Sequence, residues 1–364
     1  MTSTKLTRRS VIAAAPAIVL AQAPSDEVRV AFIGVGNRGS FLLRHMLKVP
    51  GIRVVAVCDI LPERTEAAAA QVKQAGGEAR TWNDFRQMLD NQKDIDAVIM
   101  AVPDFRHKEL NLTILEMGKH LYAEKPMALS LEDCQATVQS VKQAKGIAQF
   151  GFQLRHEPAT NAAQKFIHSG GIGPVLMCHG IRHGADLPRD IPWYFDKNKC
   201  GDIIVDQGIH ILDLFTWAIG SHPVRCFGSG GTQLFVDDPP GRTVMDHYSV
   251  VYEFPNGVTI NFSHHYFDPP GFSGIKELVF CRDGAIDLAT ASWSPRTRRE
   301  RIQLDVPDAG KDSTYMSLAA FIDNVKNKRQ PLNNAESALN STKVAIMGRT
   351  AIYERRVVTW DEIG

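Results

Sequence analysis

Residues 28–59, VRVAFIGVGNRGSFLLRHMLKVPGIRVVAVCD, begin with a short, almost wholly apolar run that stops at three glycines, Gly34, Gly36 and Gly39. The next ten residues carry apolar side chains at helical spacing, and a second β-branched run, RVVAVCD, follows. A strand before G-x-G-x-x-G and a helix after it are the setting in which that triplet has a mechanism. Gly34 makes the tight turn, Gly36 lets backbone approach a pyrophosphate, and Gly39 lets helix and strand pack closely. The free N–H groups and dipole at the helix start favour the negative charge, with Asn37 and Arg38 inside the turn. Asp59 ends the second strand twenty residues past Gly39, where a carboxylate either accepts from an adenosine ribose or caps the turn into PERTEAAAAQV. Ile60 and Leu61 put no base beside it, which favours NAD over NADP.

The chain has 364 residues, 44% of them apolar and 22% charged, enough for two domains with cores of their own. A net charge of +1 with scattered Lys and Arg forms no basic face for nucleic acid. Upstream, TRRSVIAAAPAIVLAQA sets Arg8–Arg9 before an uncharged run from Val11 to Leu20 and small residues at Ala21 and Ala23. That pattern predicts a twin-arginine export signal over residues 1–23, cut after Ala21 or Ala23, and a periplasmic or secreted protein. The run is too short for a stable membrane anchor. Six cysteines without pairing rhythm or C-x-x-C spacing suggest neither disulfides nor zinc.

Further along, AVPDFRHKELNLTILEMGKHLYAEKP (residues 101–126) resembles the signature of the Gfo/Idh/MocA oxidoreductase family. The resemblance extends over nearly everything after residue 27. It implies that Lys125, in the Glu124-Lys125-Pro126 segment at the carboxyl end of a strand, lies beside the nicotinamide and the reacting carbinol. Pro103, His107 and Glu124 are placed at the same end of the cofactor. The expected fold is α/β: a doubly wound parallel Rossmann sheet over residues 27–150, then an α+β substrate domain over 151–364. Segments such as HYSVVYEF and GVTINFSHHYF alternate as half-buried strands do, predicting an open, mostly antiparallel sheet. On that sheet a second copy of the chain is expected to dock. Two late helices end the chain, and they are free to pack back on the first domain.

GDIIVDQGIHILDL (residues 201–214) interrupts an oily run with Asp202, Asp206, His210 and Asp213. On a continuous α-helix these four share one face, so they form a closed polar network or line a cavity. The resemblance adds that an Asp and a His at this spacing face the substrate, which matches Asp206 and His210. Hydride leaves a carbinol carbon as its hydroxyl proton is removed, and His210 or Lys125 is the base, with Asp206 orienting the ring and favouring its charged form. Arg155 matches a family arginine. Trp193 and Tyr194 offer aromatic faces to a sugar ring. No metal is expected, because no His or Asp cluster has a ligand spacing.

These features predict an exported enzyme that binds a carbohydrate and oxidises a CH–OH group with NAD. No free NAD pool exists outside the cytoplasm, so the cofactor leaves the cell already bound. Two alternatives stand beside a net dehydrogenase: a redox-neutral NAD-dependent glycosidase, which needs a further acid, and a non-catalytic sugar-binding protein with structural NAD.

Overall fold

In the computed structural model, residues 27–269, 271–272 and 274–364 are described. The export signal expected over residues 1–23 lies outside them. Six parallel strands, β1 (Val28–Ile33), β2 (Ile52–Cys58), β3 (Arg80–Trp82), β4 (Ala97–Met100), β5 (His120–Ala123) and β6 (Ala148–Phe150), form a sheet in the order β3-β2-β1-β4-β5-β6. Right-handed crossovers are the rule for such units. Here they run through α1 (Asn37–Met46), α2 (Pro62–Gln74), α3 (Phe85–Asn91), α4 (His107–Glu116) and α5 (Leu131–Gln143). The strand order reverses between β1 and β4, so their carboxyl ends open a crevice, the standard position for a dinucleotide. β4 stops at Met100, two residues before the Pro103 turn, and a 3₁₀ turn, Asp104–Arg106, leads into α4.

The second sheet has nine strands: β7 (Val175–His183), β8 (Arg225–Gly231), β9 (His247–Glu253), β10 (Thr259–His265), β11 (Gly274–Cys281), β12 (Gly284–Asp287), β13 (Ser292–Pro295), β14 (Ile302–Gln303) and β15 (Val358–Thr359). Their order is β14-β13-β12-β11-β7-β10-β9-β8-β15. The sheet is antiparallel except where β10 lies parallel to β7. In β9 and β10 every second residue is buried, the mark of a sheet covered on one face only. α8 (Ile209–Ile219) lies on that face against β7 and β11, with α6 (Pro158–His168) packed on α8 and the short α7 (Lys197–Cys200) beside the Asp104–Arg106 turn. At Gly180 a Cβ would sit 2.7 Å from the Phe215 ring, so glycine is what lets α8 lie against β7.

Two long helices complete the chain, α9 (Ser313–Asn327) capped by Asp312 and α10 (Ala335–Glu354) capped by Asn334. α9 returns to the first sheet, where Leu318, Phe321 and Ile322 join the core of Phe32, Leu42 and Leu43. Tyr122 on β5 reaches Ser317 on α9, with the two hydroxyls 3.2 Å apart. α10 packs between α5, α8 and β8, and so holds both sheets to one body.

Candidate active site

The glycine turn is built to tolerances that no larger residue meets. Gly34 has φ +81°, and a Cβ on it would lie 2.2 Å from the Ala101 carbonyl oxygen. At Gly39 a Cβ would come within 1.9 Å of the Gly34 oxygen. Both obstacles are backbone, which cannot move aside. Gly36 leaves room for the Arg64 guanidinium, 3.0 Å from where its Cβ would be. α1 has no acidic residue in its first turn and no side-chain cap, so its N-terminal dipole is left for an anion. Asp59 is nearly buried, and its two oxygens accept from the Val35 and Leu61 N–H groups at 2.9 and 3.1 Å. It therefore shapes the turn itself, and each oxygen keeps a lone pair for a ribose hydroxyl. Asn37 is held at the mouth by Asp190 of the second domain, 2.7 Å away. These groups fit an NAD phosphate and ribose.

At the ends of β4 and β5 the polar groups converge. Arg38 donates to Glu124 at 2.7 Å, while its Nη2 is buried without a partner. His107 is fully buried between the Pro126 and Val102 carbonyls, 2.6 and 3.0 Å from its ring nitrogens. Burial lowers its pKa against the pull of those bonds. His107 thus braces the loop that carries Lys125, and Pro103 opens the 3₁₀ turn beside it. Lys125 Nζ donates to the Asp206 carbonyl and carboxylate at 2.6 and 2.7 Å. Burial lowers its pKa, but the neighbouring carboxylates, Asp206 foremost, outweigh burial and hold it above the ordinary lysine range.

The stripe expected on one α-helix face is not there. Asp202 lies before the helix at φ 72°, and residues Ile204–Gly208 form a π-turn ahead of α8. Such a turn inserts a residue and rotates everything after it, so the four groups point to four places. Asp202 accepts from the Ile203 N–H at 2.6 Å and from Tyr353, closing a loop. Asp206 takes Lys125. Asp213 takes Arg155, whose Nε and Nη2 approach its oxygens to 2.9 and 2.7 Å, and also accepts from Ser341. Arg155, expected at the substrate, is accordingly an internal strut, because its guanidinium is spent on a buried carboxylate.

His210 alone is left over. It is partly buried, Phe152 stands edge-on at 6.4 Å between ring centroids, and the buried Nδ1 has no partner in the protein. Burial first, then Lys125, Arg182 and Arg38, hold its pKa well below the ordinary value, which corrects the expectation that Asp206 favours its charged form. With Asp206 committed to Lys125, the ring is neutral. Tyr194 is buried and its hydroxyl meets that of Tyr266 at 2.9 Å behind Asp206, so it supports the site rather than stacking on a sugar. Trp193, half-buried beside it, keeps an accessible face.

Two residues go beyond the sequence-based set. Asp104 is buried against Asp206 within hydrogen-bonding reach, and burial together with that second carboxylate pushes its pKa well above the usual range, which favours its protonated form. Its Oδ2 has no partner. The signal was its place between Pro103 and His107 in the signature. Arg182, on the covered face of β7, donates to Gln207 in the π-turn at 2.6 Å and acts on His210 from across the pocket. Nothing in a lone arginine on a strand marked it.

A parallel nucleotide sheet with a charged lysine at its carboxyl edge, near a neutral histidine on the helix that covers the antiparallel sheet, defines an NAD-binding oxidoreductase. Residues 28–152 match the oxidoreductase family with the NAD-binding Rossmann fold, and residues 160–287 match the GFO/IDH/MocA C-terminal domain. This chain belongs to the Gfo/Idh/MocA family. It is 27% identical over 339 residues to inositol 2-dehydrogenase of Salmonella typhimurium, covering 85% of this chain and 96% of that protein. It is 29% identical over 267 residues to 2,7-anhydro-N-acetylneuraminate hydratase of Mediterraneibacter gnavus, covering 71% and 68%. The crystal structure of scyllo-inositol dehydrogenase from Lactobacillus casei with bound NAD(H) and scyllo-inositol shares the fold, with a TM-score of 0.77 at 19% identity over 92% of this chain and 99% of that one.

Proposed function

We propose that this protein oxidises a CH–OH group of an inositol, sugar or related polyol, with His210 as the base and Lys125 as the cation that steadies the developing alkoxide. The observation that carries this is the division of charge: a lysine kept protonated and an imidazole kept neutral in one pocket. Bound NAD supplies the hydride acceptor. Lys125 spends its protons on Asp206 but has three, which leaves one for the substrate oxygen. His210, whose Nδ1 is buried, takes the hydroxyl proton on Nε2, the ring nitrogen that no protein group occupies, as that oxygen becomes carbonyl.

A redox-neutral variant is favoured by the raised pKa of Asp104, buried against Asp206, which suits it to be the further acid that elimination or hydration requires. The kinship to a hydratase supports the same direction. Export in the folded state, with NAD aboard, belongs to this proposal and rests on Arg8–Arg9 and the apolar run after them. So does a second copy of the chain on the open sheet face, where Phe227 and Val251 are exposed cross-strand neighbours.

The test uses protein recovered from the periplasmic fraction. Incubated with inositols and aldoses, it should convert added NAD to NADH, and His210→Ala should lose turnover by at least about a hundredfold while binding NAD as before. Product from aryl glycosides without net NADH would move the assignment to the redox-neutral reaction. Full activity in His210→Ala refutes both.

A further inference from the structure

Three side chains meet where β7 and β10 end, on the sheet face turned away from α8. His183 closes β7, and His265, its ladder partner, closes β10. Asp268 is folded back over them by a bond from its N–H to the Gly184 carbonyl at 3.0 Å. Asp268 Oδ1 lies 3.2 Å from His265 Nε2, and Oδ2 lies 3.7 Å from His183 Nδ1. One ligand atom from each of the three residues fits within 4.8 Å of the others. Around a tetrahedral ion with bonds of about 2.0–2.1 Å, neighbouring ligand atoms stand roughly 3.3–3.4 Å apart. The His265–Asp268 pair already stands near that value, and no pair of the three ligand atoms is farther apart than 4.8 Å.

The polar groups here are left open on the side that an ion would occupy. Asp268 Oδ2 is buried with no hydrogen-bond partner, a costly state for a carboxylate oxygen. His183 Nε2 is 3.0 Å from Ser263 Oγ, which leaves Nδ1 as the nitrogen that faces Asp268. A hydrogen bond on the far nitrogen is the usual outer partner of a metal-binding imidazole. We propose that His183, His265 and Asp268 bind a late first-row divalent cation, of which Zn²⁺ is the type. Two imidazoles and one carboxylate suit such an ion, whereas Mg²⁺ and Ca²⁺ take oxygen ligands, and three protein ligands leave a fourth position for water.

In the ion-free arrangement the two imidazoles stack, with centroids 3.7 Å apart. Parallel rings cannot aim their lone pairs at one centre, so binding turns one of them. His265 is pinned on its other face by Phe267, with centroids 4.4 Å apart and planes 7° apart, so His183 is the ring that turns. The site ties together the roots of two segments, residues 184–191 and 267–269, already joined by the Gly184 N–H to the His265 carbonyl at 2.8 Å. The first segment carries Asp190, which holds Asn37 at the glycine turn. An ion at its root stiffens the flap that borders the nucleotide crevice. No sequence spacing announces this, because β pairing brings His183 to His265 and Asp268 from far upstream.

The test needs no substrate and stands apart from the proposed reaction. The full chain is stripped with a chelator, dialysed against Zn²⁺, and its metal content is measured by mass spectrometry. Wild type and the distant control His222→Ala should each retain one equivalent and gain thermal stability on loading. Asp268→Asn and His183→Ala should do neither. Ser263→Ala keeps all three ligands and should weaken Zn²⁺ about 10–100-fold, a readout that does not depend on the ligand variants folding. Co²⁺ in place of Zn²⁺ should give the intense visible absorption of a tetrahedral site. No retained metal in wild type, or equal retention in Asp268→Asn, overturns the proposal.

Discussion

Burial acts on His210 and Lys125 alike, yet only one of them loses its charge. For Lys125, carboxylates led by Asp206 outweigh the loss of water; the charges that act on His210 are those of Lys125, Arg182 and Arg38. The sign of the pH dependence follows. Folded His210 resists the proton that the unfolded imidazole accepts near the ordinary value of about 6.5, so its share of stability is full above that pH and is lost as pH falls through it. Lys125 runs the other way: its share is present below the ordinary lysine pKa and is lost as pH rises through the raised folded value. In kcat against pH, the acid limb should therefore lie below the ordinary histidine range and the alkaline limb above the ordinary lysine range. An acid limb centred at about 6.5 would assign the base to another group. Gly34, Gly36 and Gly39 were legible one by one, because a local motif sets their roles, whereas Lys125 was singled out only through the family resemblance. Arg155 was not, since a guanidinium in a sequence does not say whether a ligand or a carboxylate will meet it.

At the scale of the element, the π-turn decides which residues face the pocket. The run IVDQGIH has nothing that distinguishes it from ordinary helix, and periodicity alone predicts one continuous face. The π-turn is held from outside, by the Asp202 loop at one end and by packing at Gly208 on the inner sheet. A Cβ at Gly208 would lie 2.1 Å from the Tyr248 hydroxyl. Gly208→Ala should thus cost about 1–3 kcal/mol by denaturant unfolding and lower kcat by displacing His210. Tyr248→Phe in the same chain removes the obstructing oxygen and should return most of both. A double variant no better than Gly208→Ala would mean that the glycine serves the backbone instead of the contact.

For the whole molecule, the first sheet is incomplete without the last part of the chain. Leu318, Phe321 and Ile322 of α9 fill the groove between α1 and the sheet, and burying three such side chains contributes roughly 5–9 kcal/mol. A fragment ending at residue 152 contains every strand of that sheet and the whole glycine turn. It should nevertheless bind a hydrophobic dye, lack a cooperative thermal transition and fail to hold NAD. A fragment that melts cooperatively and binds NAD as the full chain does would show α9 to be dispensable.

What the order of residues determined by itself was local: strand and helix periods, the glycine turn, the carboxylate after β2, the Lys125 loop, and with them the fold and the cofactor. Each shows as a pattern within one short segment, where residue spacing reports the local period and turn even when the contact that completes it comes from further along the chain. The tertiary structure alone decided that Asp206 serves Lys125, that Asp213 serves Arg155, that Asp104 favours its protonated form and that His210 is left neutral. Those outcomes depend on which charges come within a few ångströms after the two sheets close on one another and water is excluded, and neither condition is written in any single segment.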